Sequence, residues 1–188
     1  MTKPTNYFVI SIMSRDRVGI VYETAKAISD LKGDIADLSQ TVLRGYFTMI
    51  LHATFPAKVT AETIKARLGG GDSTNSTTLE IAIKHVTDPA QIQAAPDPEQ
   101  TYVLTASGRD RIGFVATVSA FCAEHSINIL DLSTKVAGSD YIMILLVDLS
   151  RCPSLDTVRH QLERFSLKHG LNITLQHHDI FKVTNEIN

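Results

Sequence analysis

The sequence has no excess of positive charge: 18 lysines and arginines stand against 20 aspartates and glutamates, a net charge of −2. That balance removes the electrostatic footprint with which proteins grip nucleic acid or an anionic membrane. Any effect on transcription is therefore expected to run without direct contact with DNA. Cysteine is nearly missing as well. Cys122 and Cys152 are far apart and lack the Cys-x-x-Cys spacing of a metal or redox site, which predicts reduced thiols and a cytoplasmic location. Cys122 falls on an apolar helical stripe, where inert packing is expected. No hydrophobic run is long enough to span a bilayer. The N-terminal "MTKPTNYFVISIMSRD" is interrupted by Ser11, Arg15 and Asp16 and does not read as a signal peptide. The seven histidines supply no general base with a recognisable partner. His177 and His178, adjacent in an alternating segment, are expected to face opposite ways on a strand and so not to share a metal. No cofactor is expected.

What is present is a repeat. "SRDRVGIV" begins at Ser14 and "GRDRIGFV" at Gly108. Shifting the chain by 94 positions aligns Phe8–Leu68 with Tyr102–Leu162 without a gap. Arg15-Asp16-Arg17, Gly19 and Val21 match Arg109-Asp110-Arg111, Gly113 and Val115. Asp37-Leu38-Ser39 and Met49-Ile50-Leu51 also recur, as Asp131-Leu132-Ser133 and Met143-Ile144-Leu145. Two copies of one domain follow, spanning 5–87 and 101–184. Between them, "DPAQIQAAPDPEQ" (88–100) holds three of the six prolines and reads as an extended linker.

Within the first copy, "YFVISIM" alternates as a strand with Phe8, Ile10 and Ile12 on one face. Val18, Val21, Ala25 and Ile28 recur at helical spacing up to the stop at Lys32-Gly33. Ala36, Leu38 and Val42 predict a second strand, and Arg44-Gly45 a turn. Phe47, Met49, Leu51 and Ala53 form the inward face of a third strand. Thr60 is placed to cap a short helix through Leu68, and Leu79–Val86 alternates as the last strand. In the second copy that short helix is longer, from Ser154 to about His169. The fold class is α+β: two ferredoxin-like βαββαβ domains, each a four-stranded antiparallel sheet with two helices on one face. "GGGDSTNSTT" reads as a loop, since the Lys-Ser/Thr and following helix of a phosphate-binding loop are missing. On the sheet's other face Thr48, Ile50, His52 and Thr54 contrast with the apolar Ile142, Ile144 and Leu146. An apolar face without helices should be covered by a domain or subunit interface, so a homo-oligomer is expected.

The Arg-Asp-Arg-x-Gly turn joins the first strand to the first helix. A helix N-terminus carries unpaired N–H donors and about half a positive charge, a seat for a carboxylate or phosphate. Gly19 and Gly113 would let a ligand approach the backbone. Asp16 and Asp110 are placed either to cap the helix or to hold an ammonium group. Asp34 and Asn128, at the start of the second strand, have side-chain oxygens for the same ammonium, or fill a turn role. Together these groups suit a small zwitterion.

A βαββαβ unit with "DRVG" or "DRIG" after its first strand, and "GDIADLS" or "SINILDLS" at its second, resembles an ACT domain. Two such units resemble the tandem-ACT family typified by the glycine cleavage system transcriptional repressor. The resemblance implies a non-catalytic regulator that binds an amino acid, with glycine the guess, between domains. It also implies a DNA-binding transcription factor as protein partner. The site it implies has Asp16, Arg17, Val18, Gly19 and Ile20 facing Asn128 and Ile129. A mirror site has Asp110, Arg111, Ile112, Gly113 and Phe114 facing Asp34 and Ile35. Asp34 departs from the asparagine of many such sites, and Phe114 is bulkier than Ile20.

Two rival readings share the topology. A small phosphate-ester hydrolase resembling acylphosphatase would use Arg15 or Arg17 on the first loop, but the glycine-rich cradle is missing. An RNA-binding module would need exposed aromatics on its central strands. Phe47 and Tyr141 begin third strands on the face expected to be buried.

Overall fold

The alternation of Tyr7–Met13 becomes β1 (Thr5–Arg15) in the structure, a computed structural model that describes residues 5–70, 79–87 and 96–185. The first unit continues with α1 (Ile20–Asp30), β2 (Asp34–Leu43), β3 (Tyr46–Pro56), α2 (Ala61–Gly69) and β4 (Glu80–Val86). The second repeats it as β5 (Thr101–Arg109), α3 (Phe114–Glu124), β6 (Asn128–Ala137), β7 (Asp140–Asp148), α4 (Leu155–His169) and β8 (Asn172–His177). Each unit is a four-stranded antiparallel sheet, ordered β2-β3-β1-β4 and β6-β7-β5-β8. The class is α+β and the order βαββαβ twice, as the pattern predicts, and the chain divides into two compact units.

Each unit has its own core. Phe8, Ile10 and Ile12 of β1 and Phe47, Met49, Leu51 and Ala53 of β3 are buried with Ile20 and Ile28 of α1 and Ile64 and Leu68 of α2. In the second unit Leu104, Met143, Leu145 and Val147 meet Phe114, Val118 and Cys122 of α3 and Val158 and Leu162 of α4. Burial pushes the Cys122 thiol up to about 11, so it is protonated at neutral pH and packs as an apolar group. Thr60 and Ser154 cap α2 and α4, accepting from the N–H groups of Thr63 and Thr157 at 3.3 and 3.2 Å. Arg44 and Gly45 turn β2 into β3 with φ of 50° and 81°, the two-residue geometry that matches strand twist.

Several expectations change. The buried stripe of α1 is Ile20, Thr24, Ala27 and Ile28; of the expected Val18, Val21, Ala25 and Ile28, Ile28 alone is fully buried. The chain stays non-helical through Gly19, so the helical phase starts at Ile20, leaving Val18 and Val21 exposed. A β-bulge between Ile35 and Asp37 displaces Ala36. Ile35 and Leu38 therefore pack on the core, and Ala36 and Val42 are exposed. His178 does not extend the strand with His177; it opens α5 (His178–Asn185), a helix with no counterpart among the described residues of the first unit, which packs on β5 and β8.

The expected linker is shortened from its C-terminal side. Pro98–Gln100 forms a 3-10 turn capped by Asp97, and the Gln100 carbonyl accepts from Leu149 N–H at 2.9 Å. The rest of that linker and most of "GGGDSTNSTT" lie outside the described residues.

Candidate functional site

The two duplicated turns adopt the same backbone. Asp16 N–H donates to the Gly45 carbonyl and Asp110 N–H to the Ser139 carbonyl, both at 3.0 Å. Each turn is thereby fixed to the neighbouring hairpin. Gly19 and Gly113 are the helix N-caps, in the left-handed region at φ 98° and 85°. The glycines are required by that conformation, more than by room for a ligand. Asp16 and Asp110 do not cap: neither helix has a side-chain cap bond, and both residues are exposed. The capping alternative fails because the glycine already occupies the N-cap position.

Donors are left over. In the first unit the earliest helical bond is Glu23 N–H to Gly19 O at 2.9 Å. Among the described residues, no acceptor meets the N–H groups of Val18, Gly19, Ile20, Val21 or Tyr22. In the second unit Thr117 N–H bonds Gly113 O at 2.8 Å and Phe114 N–H reaches Arg111 O at 3.3 Å. The N–H groups of Ile112, Gly113, Val115 and Ala116 have no acceptor there.

The side chains divide sharply. Val18 is 99% exposed and Ile112 fully exposed at the tips of the turns. Ile20 and Phe114 point into their cores, and Phe114 packs on Tyr141 with ring centroids 5.0 Å apart. These two bring at most a backbone N–H to a ligand, so the bulk of Phe114 does not reach the turn. Ile35 and Ile129 likewise pack on the cores, while Asp34 and Asn128 are exposed at the starts of β2 and β6.

Register fixes what one unit brings together. Arg15 pairs with Tyr46 at one end of the first sheet, and Asp34 pairs with Thr54 at the other. The eight residue steps along β3 from Tyr46 to Thr54 span about 27 Å. Arg109 with Asp140 and Asn128 with Asp148 are separated in the same way. A turn and the strand-two start of its own unit are therefore at opposite poles.

One side chain at the turn, Glu23, escaped the sequence reading. Arg17 makes a bidentate pair with Glu23, its two terminal nitrogens donating at 2.7 and 2.6 Å. Those hydrogen bonds hold the Glu23 carboxyl below its usual range and raise Arg17, so the pair is charged at neutral pH. The position matching Glu23 is Thr117, whose hydroxyl donates to Gly113 O at 2.9 Å. Arg111 has only a 3.4 Å bond to the His169 carbonyl. The signal was a mismatch inside the repeat, at a spacing no periodicity marks.

Elsewhere, a trough of about 590 Å³ crosses the helix-free face of the first sheet, lined among others by Ser11, Met13, Thr48, Ile50 and Glu80. It contains none of the turn residues. Among the described residues no group of histidine, cysteine or acidic side chains is arranged to hold a metal, and no helix is long and apolar enough to cross a membrane.

Two βαββαβ units, each opening its first helix with a glycine-capped turn that leaves amides without an acceptor among the described residues, define a tandem ferredoxin-like fold. The ACT domain description matches residues 6–82 and 100–176, and the chain belongs to the ACT domain family. It is similar to a UPF0237 protein of Methanocaldococcus jannaschii, 37% identical over 86 residues, which are 45% of this chain and 96% of that one. A UPF0237 protein of Neisseria meningitidis is 38% identical over 86 residues, with the same coverage. Each relative is thus the size of one unit. A solved structure of an unknown protein from Galdieria sulphuraria superposes with a TM-score of 0.71 at 26% identity, covering 92% of this chain and 98% of that one. A candidate glycine cleavage system transcriptional repressor does so at 0.70 with 17% identity, covering 92% and 96%, a likeness of fold.

Proposed function

We propose that this protein is a non-catalytic sensor that binds a free amino acid between ACT units and passes its occupancy to a protein partner. The observation that carries the reading is the placement of complementary groups at opposite poles of one unit. The turns offer amide donors to a carboxylate, and Asp34 and Asn128 offer oxygens to an ammonium group. One small zwitterion can engage both only where two units meet. A ligand seated there favours whichever arrangement completes its site, which converts binding into a change of assembly.

Glycine as ligand and a DNA-binding transcription factor as partner rest on the family likeness, and a cytoplasmic location rests on the two widely spaced cysteines. Nothing favours the hydrolase. The Arg15 guanidinium lies over the Tyr46 ring, 4.3 Å from its centroid, and Arg17 is held by Glu23, so each arginine that could serve phosphate is already engaged.

Thermal shift with each of the twenty amino acids tests the sensor. At a hundredfold excess over Kd a ligand stabilises its host by about 2.7 kcal/mol, which raises the midpoint by several degrees. No rise with any of them at millimolar concentration sinks the proposal.

Homo-oligomerisation is proposed through the helix-free face of the second sheet, where Ile142, Ile144 and Leu146 are half-buried. Ile144→Glu should lower the particle mass seen by light scattering. An unchanged mass removes this face from the assembly.

A further inference from the structure

We infer that Glu23 is a built-in carboxylate that closes the turn of the first unit, leaving Arg111 to Val115 of the second as the open carboxylate receptor of the chain. This rests on the reading that the turns receive a ligand's carboxylate. A surface ion pair is ordinarily of little consequence; this one matters because of where it sits. A Cβ built on Gly19 would lie 3.4 Å from Glu23 Oε1 and 3.9 Å from an Arg17 terminal nitrogen. The carboxylate therefore lies across the glycine whose neighbours have unbonded amides, clamped by the arginine of the same turn.

The duplication supplies the control. At the matching positions, Thr117 has turned its hydroxyl back onto the helix, and nothing lies within 4 Å of a Cβ built on Gly113. Arg111 is exposed and has no carboxylate partner among the described residues. Glycine and arginine are common to both turns; of the residues that differ, Glu23 against Thr117 is the one that puts a carboxylate beside the arginine or leaves none there. The first unit thus shows the arginine of the turn holding a carboxylate bidentately beside the glycine, the geometry in which guanidinium binds one best. The second unit presents the same turn unfilled. One chain then offers one receptor for a ligand's negative end.

The probe is acetate, the simplest carboxylate, titrated into the full chain labelled for amide NMR, with sodium chloride at equal ionic strength as baseline. The amides of Ile112, Gly113 and Val115 should move and those of Val18 to Val21 should stay. In Glu23→Thr, which copies the residue of the second unit at an exposed position, both turns should respond. Equal movement at both wild-type turns, silence at Ile112 to Val115, or a first turn that stays silent in Glu23→Thr would each overturn the inference. Failure of the amino-acid screen with the acetate response intact would instead sink the sensor and leave this asymmetry standing.

Discussion

Thr117→Glu is expected to shut the second turn and weaken amino-acid binding at least about fivefold. The new carboxylate would stand six residues after Arg111, as Glu23 stands after Arg17, on the same helix phase and beside the same left-handed glycine. An exposed bidentate pair contributes about 1 kcal/mol. A competing internal partner that stable leaves roughly one molecule in five or six competent, and apparent affinity falls by that factor. Calorimetry with the strongest amino acid from the thermal screen measures it. The added side chain also lies over Gly113, so the loss should exceed the electrostatic share. Affinity unchanged in Thr117→Glu would mean that the second turn is not where the carboxylate sits.

The second large effect concerns packing. Gly33 carries no side chain because Phe55 fills its place: a Cβ there would lie 2.5 Å from the Phe55 ring and 2.9 Å from Ile28. The second unit solves the same corner with Ile127 and Leu149, both buried. The backbone is the same in each, with Gly33 N–H donating to Ile28 O at 3.0 Å and Ile127 N–H to Cys122 O at 2.9 Å. Gly33→Ile should therefore cost about 3 kcal/mol by overpacking, read as a fall in the urea midpoint. Combining it with Phe55→Leu should recover more than half, because the pair reproduces the arrangement of the second unit. Such a coupling, about 0.5–3 kcal/mol for touching residues, is what a double-mutant cycle isolates. Additive losses would show that the two residues do not compete for one space.

Both experiments exploit the repeat, which is also where the sequence was most informative. Period-two alternation in Tyr7–Met13 and Phe47–Ala53 is a local property, since successive side chains of a strand face opposite ways whatever else is nearby. It gave the inward faces of β1 and β3 correctly. Thr60 was legible because a cap acts on the three residues that follow it. The α1 stripe was misphased because Val18 looks apolar and helical. Its exposure follows from the turn bonded to Gly45, a residue from another element. The bulge at Ala36 was hidden for a similar reason, as only the pairing with β3 reveals the slip. α5 escaped because its first residue, His178, was read as part of the alternating strand with His177.

The sequence alone determined that this is a duplicated βαββαβ chain with a glycine-bearing turn ahead of each first helix. Periodicity, turn residues and internal identity all act over a few positions and need no partner to be read. The folded structure decided which side chains meet at those turns. Arg17 and Glu23 become a clamp only because the left-handed Gly19 bends the chain until two side chains six residues apart meet. Register alone sets each turn about 27 Å from the strand-two start of its own unit. Distance and orientation between groups remote in sequence are products of folding, and the chemistry of the turns depends on both.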